Sequence, residues 1–108
     1  MQIDKIFDAL ASPARRQILA YLSATELTTS ELAQRFEMTT PAISRHLSVL
    51  ENAGLVSSER QGQRVLYRIN RDSLVNTLAD FAFEVCPVGK PLKRESQALR
   101  KLRGGNKA

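Results

Sequence analysis

Apolar residues recur every three to four positions through the first half of the chain, the spacing of helices that bury one face. This pattern predicts four successive helices within residues 1–53. The first helix has one apolar stripe, formed by Ile3, Ile6, Phe7 and Leu10. The other three are expected to turn their apolar residues towards the core, namely Ile18, Leu19, Leu22, Leu32, Ala33, Phe36, Ile43, Leu47 and Leu50.

Capping residues predict where three of these helices begin. Ser12 is a good N-cap, and Pro13 suits the first helical position because its missing N–H would be unpaired there anyway. Thr28 and Glu31 have the spacing of a capping box, and Thr39 caps the next helix. About three or four residues join the third and fourth helices, which is the signature of a helix-turn-helix.

The pattern changes after Gly54, which is expected to end the fourth helix in a left-handed conformation. Residues 55–59 and 64–69 are two β-rich runs, and Gly62 lies in the turn between them. Apolar residues alternate in the second run, as they do in a half-buried strand. A β-hairpin is therefore predicted to follow the four helices.

One last helix is predicted after the hairpin, with Asp72 or Ser73 as its cap and Pro87 as its stop. A small domain of this kind has a limited core, so the apolar residues of the first and last helices suit a two-fold dimer interface. Packing within their own domain is the alternative. The expected dimer residues are Ile3, Ile6, Phe7, Leu74, Leu78, Phe81, Ala82 and Val85.

The order of elements predicts a mainly α fold with a small β-hairpin, namely a winged helix-turn-helix with a flanking helix at each end. Residues 1–87 are expected to form the DNA-binding and dimerisation domain. Residues 88–108 are a C-terminal tail that forms a further amphipathic helix or stays disordered. The tail holds seven basic residues and one acid, a net charge of +6, whereas residues 1–87 carry −1. Nucleic-acid binding by residues 1–87 must therefore depend on where the charges of this domain lie.

The fourth helix, residues 39–53, has a narrow polar face that is free of acids near its N-terminus and could enter the DNA major groove. Arg45 could donate two hydrogen bonds to guanine. The hairpin turn, residues 59–65, is basic at its tip and suits the minor groove or phosphates. A solvated helix face and a soluble turn are the alternatives. The expected DNA contacts are Thr39, Thr40, Pro41, Ser44, Arg45, Ser48, Arg60, Gln63 and Arg64.

The chain shows no catalytic or metal-binding constellation. His46 is the single histidine, and because a zinc site needs about three or four ligands it is expected to be partly buried and hydrogen-bonded instead. Ser44 and His46 are two positions apart on one helix and do not face each other. No enzyme activity, metal or cofactor is expected.

Cys86 is the only cysteine, which excludes an intrachain disulfide and suits a reducing, cytoplasmic setting. There is no apolar run of about 18 residues that could span a membrane and no apolar segment of the kind found in signal peptides. No membrane partner is expected.

Three stretches, DALASPARRQILAYL, ELAQRFEMTTPAISRHLSVLENAGLV and RQGQRVLYRIN, resemble bacterial ArsR-family transcriptional regulators and span most of residues 7–70. The resemblance implies a homodimeric winged-helix repressor that binds an imperfect inverted repeat in DNA. It also implies that the first and last helices form the dimer. The positions that match the family's DNA-contacting residues are Thr40, Pro41, Ser44, Arg45, Arg60 and Arg64.

The chain departs from the metal-sensing members of that family. Where they have a cysteine pair in the third helix, this chain has Ala33, Gln34 and Arg35, and its last helix has no histidine. It resembles instead the small members without a recognised metal site, including autorepressor-like ones. Two alternatives stay open: a redox-responsive repressor that uses Cys86 between subunits, and a winged-helix module that binds a partner protein.

Overall fold

The computed structural model describes residues 2–85 and 91–105 of the chain. Contacts divide the chain into two compact units, Met1–Leu74 and Val75–Ala108, which are described separately. The elements in chain order are α1 (Gln2–Leu10), α2 (Pro13–Ala24), β1 (Leu27–Thr28), α3 (Thr29–Phe36), α4 (Thr40–Asn52), β2 (Val56–Gln61), β3 (Arg64–Ile69), α5 (Arg71–Val85) and α6 (Pro91–Gly105).

The core of the first unit is built by the helical stripes that the sequence predicted. Ile6, Ile18, Leu32, Ile43 and Leu47 are fully buried, and they come from four different helices. The end of α4 and the start of the hairpin complete this cluster, whose remaining buried members are Ala9, Leu19, Leu22, Ala33, Leu50, Ala53, Leu55 and Val56. Leu10, Phe36 and Leu74 pack against it partly buried.

The predicted helix starts are confirmed by their cap geometry. Ser12 Oγ accepts a hydrogen bond from the Arg15 amide at 3.3 Å. The capping box at α3 is complete, because Glu31 N–H donates to Thr28 Oγ1 at 3.2 Å while Glu31 Oε1 accepts from Thr28 N–H at 2.8 Å. Thr39 caps α4 through its hydroxyl oxygen, which accepts from the Ala42 amide at 3.3 Å.

Gly54 ends α4 as expected. Its φ is +79°, in the left-handed region that glycine adopts without steric cost. The Gly54 amide donates to Glu51 O at 2.9 Å, and the Leu55 amide donates to Leu50 O at 2.9 Å. These two bonds form a Schellman motif, and the buried side chains of Leu50 and Leu55 supply its apolar contact.

The hairpin belongs to a three-stranded antiparallel sheet, with strand order β1-β3-β2. The predicted strands β2 and β3 pair from Val56 with Ile69 through Gln61 with Arg64. β1 was not predicted from the sequence, and its Leu27 and Thr28 pair with Tyr67 and Leu66. A strand of two residues has no periodicity of its own, and it forms because β3 offers an open edge.

The start of α5 differs from the prediction. The helix begins at Arg71, so neither Asp72 nor Ser73 lies at its N-cap. The residue before it, Asn70, is tied to the end of α4 and to the hairpin. Its amide donates to Leu55 O at 2.8 Å, its side-chain nitrogen donates to Gly54 O at 3.1 Å, and its side-chain oxygen accepts from Ser57 Oγ at 2.9 Å.

The second unit contains the rest of α5 and α6. All side chains of α5 from Leu78 to Val85 are exposed, as are those described in α6, residues 96–103. Residues 91–105 are helical, which decides between the two predicted states of the tail for that segment. The predicted stop at Pro87 lies outside the described residues. Within the part of the chain described, no helix is long and apolar enough to cross a membrane.

Candidate nucleic-acid interface

The candidate recognition helix is α4, and its two faces have opposite character. Ile43, Leu47 and Leu50 are buried in the core and fix the helix on the domain. The other side carries the residues predicted to contact DNA. Thr39, just before the helix, and Thr40, Pro41, Arg45 and Ser48 within it are exposed, and Ser44 is half-buried.

The beginning of α4 favours an anion. Its first turn contains no acidic residue, and the aligned peptide dipoles place partial positive charge at this end. Thr39 satisfies the Ala42 amide. Pro41 has no N–H, and the Ile43 amide donates to Thr39 O at 3.1 Å. The Thr40 amide is therefore the donor of the first turn that has no partner within the helix, and it is suitable for a phosphate.

The wing, defined as residues 59–65, joins β2 and β3 through the two-residue turn Gly62–Gln63. Gly62 has a φ of +65°, as the tight turns of hairpins require at this position. Ser58, just before the wing, donates a hydrogen bond to Glu51 of α4 at 2.8 Å. This contact and the links of Asn70 hold the base of the hairpin against the end of the recognition helix.

Glu59, the single acidic residue of the wing, lies at the base of the wing, where Arg68 balances its charge. Arg68 lies 3.5 Å from Glu59 and 3.4 Å from Glu26, and all three side chains are about half exposed. The tip residues Arg60 and Arg64 form no ion pair within 4 Å with another described residue, and the same holds for Arg45 of α4. The positive charge of the tip is therefore available to a polyanion.

A cleft of about 270 Å³ brings the recognition helix and the wing together. Thr40 and Ser44 line it from α4, and Gln63 and Arg64 line it from the wing. The prediction grouped these four residues, and the fold places them around one space. The cleft is completed by Thr28, Thr29, Ser30 and Val65.

Thr29 and Ser30 line the cleft but were not predicted from the sequence as part of the site. They form the first turn of α3, next to the cap at Thr28. The capping box was a usable signal, because it marks a helix N-terminus whose hydroxyl-bearing residues lie beside free amides. What the sequence could not show is that this turn faces the wing.

Glu31 lies close to the cleft, and its charge is already engaged. Hydrogen bonds from the backbone and then from the side chain of Thr28 lower the pKa of Glu31 from its ordinary value of 4.5, and the nearby positive charge of Arg64 lowers it further. The carboxylate therefore stays ionised as the α3 cap. Burial raises the pKa of Tyr67 in β3 above 10.0, with a smaller contribution from the charge of Glu51.

His46 is half-buried, and its Nδ1 lies 3.4 Å from Nη1 of Arg15 in α2. This confirms the expectation of a partly buried, hydrogen-bonded histidine. Among the described residues, no group of three or more His, Cys, Asp or Glu side chains is placed to hold a metal ion. Cys86, the candidate redox residue, lies outside the described residues.

The residues predicted for a dimer interface differ in accessibility. In the first unit Ile6 is fully buried, which corrects its assignment, because a side chain that fills its own core has no surface to offer a partner. Phe7 is 39% exposed, while Ile3 and Leu74 are half-buried. In the second unit the predicted Leu78, Phe81, Ala82 and Val85 are exposed, and so is Phe83, which was not among the predicted residues.

Comparison with known proteins agrees with this geometry. Residues 12–58 match the family model described as "Bacterial regulatory protein, arsR family". The transcriptional repressor SdpR of Bacillus subtilis is 33% identical over 76 residues, which is 70% of this chain and 84% of SdpR.

Solved structures give the same result. An ArsR-like transcriptional regulator from Rhodococcus sp. RHA1 superposes with a TM-score of 0.75 at 29% identity, over 94% of this chain and 92% of that one. A homodimeric winged helix-turn-helix DNA-binding domain from Mycobacterium bovis superposes with a TM-score of 0.65 at 29% identity, over 82% and 85% of the two chains.

A helix-turn-helix followed by a β-hairpin wing, with a basic tip beside the recognition helix, defines a winged helix-turn-helix DNA-binding domain. The chain belongs to the ArsR family of bacterial regulatory proteins. It is a transcriptional repressor of that family. Since the family consists of transcriptional regulators, the expectation that the chain is not an enzyme is confirmed.

Proposed function

We propose that the protein represses transcription as a homodimer that binds an inverted-repeat operator, with α4 in the major groove and the wing at the minor groove or the phosphates. The observation that carries this proposal is the shared cleft, in which Thr40 and Ser44 of the recognition helix lie beside Gln63 and Arg64 of the wing. A surface of this kind can hold one stretch of DNA from two sides.

Base recognition falls to Arg45 in this proposal. Its side chain is exposed, and a guanidinium can donate two parallel hydrogen bonds to O6 and N7 of guanine. Thr40 and Ser44 have short hydroxyl side chains that suit either base edges or phosphates. The start of α4 adds the Thr40 amide and the positive end of the helix dipole, which favour a phosphate nearby.

The wing supplies contacts that do not depend on base sequence. Arg60, Gln63 and Arg64 are exposed at its tip, and the acid at its base is paired with Arg68. Phosphate contacts of this kind set the position of a protein on the duplex, while base contacts set its sequence preference. The wing therefore contributes affinity and register in this proposal.

Dimerisation is part of the proposal because a two-fold protein matches a two-fold operator. The related Mycobacterium bovis domain is homodimeric. Each unit offers exposed apolar side chains to a partner. In the first unit Phe7 of α1 is 39% exposed, and in the second unit Leu78, Phe81 and Val85 of α5 are 38%, 44% and 61% exposed. We expect the dimer to act in the reducing cytoplasm and to need no metal.

The proposal is tested by comparing Arg45→Ala with Arg35→Ala. Arg35 is an exposed arginine in the last turn of α3, and its guanidinium lies 5.9 Å from the centre of the Tyr21 ring. Arg35→Ala removes one positive charge, as Arg45→Ala does. An operator is first obtained by selecting duplexes from a random pool with the wild-type protein. Fluorescence anisotropy then gives the ratio of operator to random-duplex affinity for each variant.

We expect Arg45→Ala to lower this ratio by about 5- to 150-fold, because one bidentate contact discriminates by about 1–3 kcal/mol. Arg35→Ala should keep the wild-type ratio. If Arg45→Ala bound operator and random duplex as the wild type does, Arg45 would not contact bases.

A further inference from the structure

The C-terminal end of α1 is held by two arginines from the next helix. Its last carbonyl groups have no partners within the helix and carry partial negative charge. Arg15 donates from Nε to Ala9 O at 2.7 Å and from Nη2 to Asp8 O at 3.1 Å. Arg16 donates from Nη1 to Leu10 O at 2.6 Å. The pair of arginines thus joins α1 to α2 more firmly than the two-residue link alone.

Arg15 has one nitrogen left, and this nitrogen reaches the recognition helix. Its Nη1 lies 3.4 Å from Nδ1 of His46, a residue 31 positions away in sequence. A guanidinium only donates hydrogen bonds, so Nδ1 of the histidine is the acceptor in this contact. All three guanidinium nitrogens are therefore engaged, two by α1 and one by α4.

His46 stands directly beside Arg45 in sequence and two positions from Ser44. Ile43, three positions before His46, is fully buried and fixes the depth of α4 in the core, but its side chain makes no polar contact. α1 also packs against α4, since Ile6 and Ala9 belong to the same buried cluster as Ile43. A polar contact with fixed direction at His46 restrains rotation of α4 about its own axis, which apolar packing restrains less.

We propose that Arg15 is a positioning residue, which couples the C-terminal end of α1 to the DNA-contacting face of α4 through His46. The inference rests on the proposed function, in which α1 contributes to the dimer and Arg45 contacts bases. It adds a route by which the arrangement of α1 in the dimer sets the orientation of Arg45. Arg16 has no part in this route, because its contact ends on α1.

Arg16 is consequently the matched control. Arg15→Gln and Arg16→Gln each remove one positive charge and weaken the cap of α1, but only the first removes the contact with His46. Operator and random-duplex affinities are measured for both variants by fluorescence anisotropy at a temperature below the thermal midpoint of each variant. Sedimentation is used to monitor whether each variant is a dimer. We expect Arg15→Gln to lower the operator-to-random ratio about 10-fold, the size of one charge-assisted hydrogen bond, and Arg16→Gln to leave it within about threefold.

Substitution from the other side of the contact keeps the test valid if Arg15→Gln fails to fold. His46→Gln retains an acceptor for Arg15 and should preserve the ratio, whereas His46→Leu should lower it about as much as Arg15→Gln. The double variant Arg15→Gln/His46→Leu should lose no more than either single variant, because both remove one interaction.

Equal ratios for Arg15→Gln and Arg16→Gln would overturn the inference, as would additive losses in the double variant. These outcomes leave the proposed function intact as long as the wild type prefers its operator. A wild type without any preference would instead contradict the proposed function, and the inference would fall with it.

Discussion

Arg64 and Arg68 lie four residues apart on β3 but have different surroundings. Arg68 is paired with Glu26 and Glu59, whereas Arg64 lines the cleft between wing and recognition helix. Of the two, Arg64 is therefore the one expected to contact a phosphate. Arg64→Ala should weaken binding similarly for operator and random duplex. It should reduce the slope of log affinity against log salt concentration by about 0.9, the value for one phosphate contact.

The measurement is a salt titration of binding to both duplexes, with Arg68→Ala as the control. Arg68→Ala removes the same charge from the same strand and should change the slope less, since its charge is already balanced by two acids. A slope that is unchanged in Arg64→Ala would show that the wing tip does not contact phosphate.

Glu31 gives the domain a dependence on pH. Its pKa is lowered in the folded chain, so the unfolded state binds the proton more readily and folding is favoured by deprotonation. The stabilisation is complete above the ordinary value of 4.5 and is lost as the pH falls through the lower folded value. Urea unfolding of wild type and Glu31→Gln from about pH 7 to pH 3 should show a weaker acid dependence in the variant. Parallel pH profiles would contradict this assignment.

At the residue scale, the sequence predicted well whether His46 is buried and hydrogen-bonded, but it did not predict which residue it contacts. His46 was expected to be partly buried and hydrogen-bonded, and it is. Its partner Arg15 could not be predicted, because the contact depends on how α2 and α4 meet in three dimensions. The burial of Ile6 shows the same limit, since helical spacing places it with Ile3 and Phe7 but does not tell core from surface.

At the scale of elements, local signals were sufficient where the determinants are local. The capping box at Thr28 and Glu31 predicted the start of α3, and Gly54 predicted the end of α4. β1 was missed because its two residues form a strand only by pairing with β3. The start of α5 was placed too late because the side chain of Asn70 is committed to Gly54 and Ser57, contacts that are invisible in the sequence.

The junction between α4 and β2 depends on the left-handed conformation of Gly54. Gly54→Ala places a Cβ at a φ of +79° and should lower the free energy of unfolding by about 1 kcal/mol. Gly54→Asn should cost less, since asparagine tolerates this conformation better than other residues with a side chain. Urea denaturation of the three proteins measures the difference. Equal stability of Gly54→Ala and wild type would show that the junction adopts another conformation.

At the scale of the whole molecule, composition alone points to a polyanion partner, but the excess of basic residues lies in the tail and not in the winged-helix domain. The net charge of +6 belongs to residues 88–108, while residues 1–87 carry −1. DNA binding by residues 1–87 is instead supported by where the charged side chains lie. Glu59 is paired with Arg68. Three arginines are exposed around α4 and the wing, namely Arg45, Arg60 and Arg64. Placement of this kind follows from the fold, which the order of helices and hairpin predicted.

The central claim is that two copies of the chain bind an inverted repeat through α4 and the wing. It is tested most directly by selecting duplexes from a random pool with the full chain at physiological salt, followed by hydroxyl-radical footprinting and sedimentation of the complex. We expect an enriched inverted repeat with half-sites separated by one or more helical turns of about 10 base pairs, occupied by two chains per duplex. A selected pool without any common sequence, or a single chain bound to each site, would contradict the account.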